Sequence, residues 1–331
     1  MKVLLVTPNF HQPRGNTITV LRIAEGLEKL GIQSEIVSST DDTPITTFPK
    51  ADIVHGFHAY HFYTFKEKWN ISVDNYVITL TGTDLNHDLF NEDKRATVLT
   101  CLREAKAIHV FDKKAKMTLL NEVPDLESKI AVIHQGTGDF HQNSFNPAKE
   151  SNTFLYTLPA GIRKVKNIPG AIEMLRNLHT KYPMIRLWLV GPIIEEEEGN
   201  TVKNLVKENS DWIAYLGQVD HADMGAIFQQ TDTILNSSHS EGQSSAILEG
   251  MGYGLPVLVS GNQGNRNIVE HGITGFVYDN PDQFLDYAEK IMNNITIRKK
   301  ISDSAKRYIS ENHSSSYEAN KLMEIYREAL K

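Results

Sequence analysis

Short runs of apolar, β-branched residues recur along the chain, separated by stretches in which apolar residues return every three or four positions. The runs read as strands near 2–7, 34–38, 51–55, 76–80, 107–111 and 130–134, and again near 153–158, 185–190, 212–216, 232–236, 256–260 and 275–278. Continuously apolar strands alternating with amphipathic helices predict parallel sheets covered on both faces. The first strand leads through a glycine-bearing loop into a helix from about Thr17 to Leu30, with Val20, Ile23, Ala24 and Leu27 on one face and Gly31 at its end. The polar, turn-rich stretch His141 to Thr153 separates the two sets of strands and predicts an N-terminal domain, 1–146, and a C-terminal domain, 147–314. The tail, 315–331, reads as a helix with Tyr317, Leu322, Ile325, Tyr326 and Leu330 mostly on one face. The expected fold class is α/β, with ligands at the carboxyl ends of the strands.

A length of 331 residues suits two domains, and 40% hydrophobic with 23% charged residues is the balance of an ordinary globular protein. The net charge of −7 argues against nucleic acid as a partner. Cys101 is the only cysteine, which excludes an intrachain disulfide and a cysteine-based zinc site and fits a reducing, cytoplasmic setting. Its neighbours Val98, Leu99 and Leu102 make it a buried hydrophobe rather than a nucleophile. Met1 to Val6 is too short for a signal-peptide core, and no apolar run approaches the roughly 18 residues of a membrane span.

The chemistry concentrates in Leu235 to Asp279. A strand ends in the turn His239-Ser240-Glu241-Gly242-Gln243, and a helix opens near Ser244 or Ser245, either of which is a candidate cap. Glu241 falls in the loop and Glu249 roughly one turn into the helix, about 6 to 8 Å further along its axis. Two glutamates alone read as surface acids. With free helix N–H groups between them, they suit a ligand with hydroxyls at both ends and phosphate in the middle, which is the layout of a nucleotide sugar. Gly250, Gly252 and Gly254 close a helix and precede a strand, the reverse of a dinucleotide fingerprint, which weakens a nicotinamide dehydrogenase reading. After the strand near 153–158 come Gly161, Arg163, Lys164, Lys166 and Asn167, then another helix. Cations beside a helix N-terminus make a phosphate site.

The string from the glutamate pair through Gly252, Gly254, Pro256 and the loop Ser260 to Asn267 resembles the donor-binding region of retaining GT-B glycosyltransferases of family four. The resemblance extends along nearly the whole chain. It implies two Rossmann-like doubly wound domains facing a central cleft, with the terminal helix crossing back onto the N-terminal domain. It further implies a nucleoside-diphosphate sugar as donor, a UDP-sugar first, with Glu249 accepting from the ribose hydroxyls and Gly242, Gln243 and Ser244 beside the donor. Arg163 and Lys166 would hold the diphosphate, and Glu241 would sit by the sugar. Their spacing is shorter than the common family pattern and, as Arg163-Lys164-Val165-Lys166-Asn167, looks like the small glycosyltransferase 1 domain-containing subgroup.

In the N-terminal half, Gly15 and Asn16 replace the family's double glycine, where close backbone approach to the donor is expected. Thr81-Gly82-Thr83-Asp84 stands where many relatives carry a histidine-glycine pair, so Thr83 and Asp84 are candidates for the sugar's neighbourhood. The same element is similar to bacterial selenosugar synthases, which leaves transfer to a selenium or sulfur nucleophile as an alternative. A sugar-nucleotide epimerase and a non-catalytic nucleotide-sugar-binding protein also share the architecture. His55, His58 and His61, beside Tyr60, read as an aromatic loop, with His58 and Tyr60 as candidates for acceptor recognition and zinc as the lesser alternative. No Asp-x-Asp occurs. No metal and no cofactor are therefore expected, with Arg163 and Lys166 acting on the leaving group instead. The acidic run Glu195 to Glu198 reads as a solvated loop. Lys113, Lys114 and Lys116 leave peripheral membrane contact open, although the net charge favours a soluble enzyme. The acceptor is expected to be small or simple, because so short a chain leaves little room for accessory domains. The oligomeric state is not indicated.

Overall fold

The structure is a computed structural model that describes residues 1–12, 15–40, 48–138 and 147–331. Strands β1 (Lys2–Thr7), β2 (Gln33–Ser38), β3 (Ile53–Phe57), β4 (Tyr76–Thr79), β5 (Ala107–Val110) and β6 (Ile130–Val132) form a parallel sheet in the order β2-β1-β3-β4-β5-β6. A second parallel sheet contains β7 (Phe154–Pro159), β8 (Ile185–Val190), β9 (Ile213–Tyr215), β10 (Thr233–Asn236), β11 (Val257–Ser260) and β12 (Phe276–Tyr278) in the order β12-β11-β10-β7-β8-β9. Each run expected from the apolar pattern is a strand.

The pleat explains the continuous apolar runs. In β1, Leu4 and Val6 belong to one core layer while Val3 and Leu5 belong to the layer on the opposite face. In β7, Tyr156 and Leu158 point into one layer and Leu155 into the other. A strand buried on both faces has no polar position to alternate with.

Counted from its own first strand, the second sheet has the order 3-2-1-4-5-6, so its direction of winding reverses between β7 and β10. In the first sheet the reversal lies between β1 and β3. Loops leaving such a pair of strands diverge and open a crevice at the carboxyl edge.

The chain divides into two compact units, Met1–Gly136 with Asn312–Lys331, and Thr137–Glu311. The expected boundary at residue 146, and the part of the expected linker His141 to Thr153 that runs to residue 146, lie outside the described residues. The terminal helix, Ser315–Ala329, packs its Leu322, Met323 and Tyr326 with Val20, Ile23 and Leu27 of the first helix, Gly15–Lys29. Arg22 donates from Nε and Nη2 to Glu318 at 2.8 and 3.0 Å, a bidentate pair buried in that contact. Tyr317 and Leu330 lie off the buried face and are exposed.

Candidate functional site

The crossover between β7 and β10 brings together the two charged loops of the second unit. After β7 the chain makes a 3-10 turn, Lys164–Lys166, and passes through Asn167 at φ 47° before entering the helix Ile168–Lys181. Two bonds from the β10 loop fix this turn. The Ser237 hydroxyl donates to the Lys166 carbonyl at 2.8 Å, and the His239 amide donates to the Val165 carbonyl at 2.8 Å.

Lys166 is thereby aimed at Glu241, with Nζ 2.6 Å from Oε1. The same oxygen accepts from Asn236 Nδ2 at 2.9 Å and Ser238 Oγ at 2.7 Å. Burial pushes the Glu241 carboxyl up, but the Lys166 charge and these hydrogen bonds outweigh it and hold the group below the ordinary carboxylate range. Glu241 is a fixed anion with three donors on one oxygen, while Oε2 has no protein partner among the described residues.

The loop after β11 supports that arrangement. Asn265, fully buried, donates from Nδ2 to Asn236 Oδ1 and to the Ser260 carbonyl. Gly264 lies so close that a Cβ there would fall 2.3 Å from the Glu241 carbonyl oxygen. Only glycine fits.

Glu249 lies one turn into the helix Ser245–Tyr253, which Gly254 ends at φ 92°. It is buried, and its Oε1 accepts from His221 Nε2 at 2.9 Å. Its Oε2, like that of Glu241, has no protein partner among the described residues. Ser244 is the N-cap residue, but its side chain makes no cap hydrogen bond, so the expected hydroxyl cap is absent there. Gly242 is exposed beside the helix start, and Gln243 Oε1 is buried with no hydrogen-bond partner. The Arg163 guanidinium is exposed and pairs with no described side chain. Lys164 turns away: its Nζ meets Glu197 and its amide donates to Glu195. The acidic run is not a loop. It opens the helix Glu196–Glu208, where carboxylates complement the positive end of the helix dipole.

The candidates of the first unit are placed differently. Gly15 and Asn16 form the first turn of the helix Gly15–Lys29 rather than the preceding loop, and a Cβ on Gly15 would meet open space. Thr83 is exposed, whereas Asp84 is fully buried. Asp84 Oδ1 accepts from the Thr81 amide and hydroxyl, and Oδ2 from the Ala59 amide at 2.8 Å. It therefore caps two short helices, Gly82–Asn86 and Ala59–Lys68, and offers no open oxygen.

The three histidines do not form a loop. His55 lies on β3, His58 precedes the helix Ala59–Lys68 in a left-handed conformation at φ 73°, and His61 is within that helix. His58 Nε2 stands 3.6 Å from Asp88, whose other oxygen takes Lys94 at 2.9 Å. Burial pulls the His58 imidazole down to about 4. The Tyr60 ring carries Lys94 Nζ 4.8 Å from its centroid.

His55 belongs to a buried chain whose direction follows from its end. The Ile133 carbonyl can only accept, so His109 donates from Nε2 to it. Thr79 then donates to His109 Nδ1, His55 Nε2 donates to Thr79 Oγ1, and Tyr326 donates to His55 Nδ1. Both imidazoles are neutral in this chain, as burial dictates. Among the described residues no group of three or more His, Cys, Asp or Glu is placed to hold a metal ion. Cys101 is buried, which pushes its thiol far up. No helix among them is long and apolar enough to cross a membrane. Lys113 and Lys114 are exposed at the start of the helix Lys113–Glu122, while Lys116 faces Glu127.

Two of the contacts in this candidate site carry no local sequence signal. His221 is 28 residues from Glu249, and Asn265 is 29 from Asn236.

Residues 139–308 match the family of glycosyl transferases group 1. The chain is 31% identical to glycosyltransferase 1 domain-containing protein 1 of Xenopus tropicalis over 70% of each protein. A solved glycosyltransferase from Rickettsia africae superposes with a TM-score of 0.78 at 21% identity, covering 100% of this chain and 98% of that one. The structure of HepE from Anabaena in complex with UDP and glucose gives 0.76 at 15% identity over 98% of both chains. The fold is GT-B, built on two Rossmann-like parallel sheets.

Proposed function

The chain belongs to the glycosyl transferases group 1 family, and on that premise we propose that it transfers a sugar from a UDP-sugar to a small or simple acceptor, retaining the anomeric configuration and using no metal ion. The observation that carries this reading is the matched state of Glu241 and Glu249. Each has one oxygen held by protein donors and one without a partner among the described residues, on either side of a helix N-terminus. A ligand with hydroxyls at both ends fits that pattern, and the HepE neighbour was solved with UDP and glucose.

Glu249 takes the ribose hydroxyls. Arg163 and the remaining N–H donors of Lys166 meet the diphosphate, where negative charge grows as the glycosidic bond breaks. Glu241, anionic and immobile, faces the sugar and stabilises positive charge at the anomeric carbon. The acceptor attacks from the face the leaving phosphate occupies, and that phosphate takes its proton, so no covalent enzyme nucleophile is involved. The enzyme is cytoplasmic.

A thermal-shift panel of UDP, GDP, ADP and NAD, with and without EDTA, tests the donor. A ligand at 100 times its Kd stabilises by about 2.7 kcal/mol. UDP should raise the melting temperature equally in EDTA, and supplying UDP-sugars with simple hydroxyl acceptors should release UDP. Stabilisation by NAD alone, or a strict need for a divalent ion, would overturn the reading.

A further inference from the structure

We propose that His221 is a positioning residue for the nucleotide, orienting Glu249 so that one chosen oxygen meets the ribose diol. The inference rests on the nucleotide-sugar reading above and names a residue outside the two charged loops that carry it.

His221 opens a short 3-10 turn, His221–Asp223, on the segment that leaves β9. That strand is the edge of the sheet, two positions beyond β7 and three beyond β10. The segment is anchored as it leaves: the Leu216 amide donates to the Leu189 carbonyl, and the Gly217 carbonyl accepts from the Gly191 amide. Gly217 turns the chain at φ 73°, a conformation natural to glycine. The segment thus carries the imidazole from the sheet edge to the helix that holds Glu249.

An ionised carboxylate only accepts, so His221 Nε2 is the donor of the 2.9 Å contact to Glu249 Oε1. The bond has two consequences. It occupies a lone pair of Oε1, and it restrains the plane of the carboxylate, so Oε2, which has no donor among the described residues, is presented in one direction. The side chains are 36% and 8% exposed, so the histidine lies at the surface while the carboxylate it holds lies beneath. A buried carboxylate held this way is preorganised for a hydroxyl donor. Without His221 it would be free to rotate, and Oε1 would need another donor. Glu241 has the same design with different donors, Lys166, Asn236 and Ser238, which sets one glutamate for the sugar end and the other for the ribose.

The test compares UDP with 2′,3′-dideoxy-UDP on the full chain, by calorimetric titration of wild type, His221→Ala, His221→Gln and Glu249→Ala. Wild type should prefer UDP strongly. A charge-assisted hydrogen bond of about 1.5–3 kcal/mol corresponds to roughly 10- to 100-fold in Kd. His221→Ala should weaken UDP about tenfold and leave dideoxy-UDP unchanged. His221→Gln, which retains an N–H donor, should recover part of the loss. Equal weakening of both nucleotides by His221→Ala, or no weakening of either, would refute the positioning role while leaving the donor assignment standing. If wild type does not distinguish the two nucleotides, or Glu249→Ala preserves the distinction, the ribose role of Glu249 falls, and the inference with it. If UDP does not bind at all, the functional reading itself fails.

Discussion

At the crossover of the second sheet, Glu241 and Glu249 each keep one carboxylate oxygen without a donor among the described residues. At the carboxyl edge of the first sheet, Asp84 has both oxygens occupied and no exposure. Both positions follow strands, both are acidic, and both sit beside helix N-termini. What separates them is saturation. A buried carboxylate with donors on both oxygens, two backbone amides and a hydroxyl, holds the chain together, whereas one left with a bare oxygen in a fixed orientation can receive a ligand. The same contrast runs through the basic groups. Arg22 is consumed by Glu318 inside the first unit, while Arg163 pairs with no described side chain of the second.

The largest effect expected from this contrast is on stability, and in the first unit. Glu318→Ala leaves the Arg22 guanidinium buried without its counter-ion, which costs about 3–5 kcal/mol. Urea unfolding should show the loss. The double variant Arg22→Met with Glu318→Leu, which removes both charges, should recover most of it. If Glu318→Ala unfolds at the wild-type urea concentration, the pair is not a buried clamp and the contrast with Arg163 loses its basis.

In the second unit the corresponding change acts on rate. Glu241→Gln keeps the shape and hydrogen-bonding reach of the side chain but removes the anion. Turnover should fall about 10²- to 10³-fold, the scale for losing one preorganised electrostatic contact, while the melting temperature moves by only a few degrees. A variant that turns over at the wild-type rate would remove Glu241 from the chemistry. A smaller effect is expected one layer out. At Gly264 an added Cβ would fall 2.3 Å from the Glu241 carbonyl oxygen and 2.4 Å from that of Gly242. Gly264→Ala must therefore displace the loop, costing about 1–3 kcal/mol and roughly 10- to 100-fold in kcat/KM through misplacement of Glu241. Unchanged kinetics would mean the loop positions nothing.

The contrast also explains how much could be read from the sequence. Most strands were legible because they are buried on both faces and so appear as unbroken apolar runs; the edge strand β2, Gln33–Ser38, is the exception, with Glu35 and Gln33 exposed. The Arg163–Lys166 turn and the Glu241–Glu249 spacing were legible as motifs because each is local, contained within ten residues. Lone-pair accounting was not legible. Thr81-Gly82-Thr83-Asp84 has the composition of a polar ligand loop, and only the fold brings the Ala59 amide to Asp84. The acidic run at 195–198 reads as surface because its helix-opening role depends on the chain that follows. His221 reaches Glu249 from the edge strand of the sheet, a relation no spacing rule reports.

The smallest expected effect is the slope of stability with pH, and Asp84 sets its sign. Burial raises this carboxyl from 3.8 to about 7, against the hydrogen bonds from Ala59 and Thr81 that pull it down. A group whose folded pKa lies above its unfolded value contributes its stability fully below about pH 4 and loses it as pH rises towards 7. The loss is at most about 1.4 kcal/mol per pH unit for one proton. His58 and His61, lowered from 6.5 to about 4 by burial, give the opposite slope over part of the same range. The measurement must therefore be a difference, wild type minus Asp84→Asn, by urea unfolding from pH 4 to pH 8. Asparagine does not titrate, and its Nδ2 faces an amide donor, so the variant should be less stable at pH 4 by about 1–3 kcal/mol. The gap should close and then reverse as pH rises to about 7, and level off above it. Two curves that run parallel would mean that Asp84 is ionised in the folded protein throughout and that burial does not raise it.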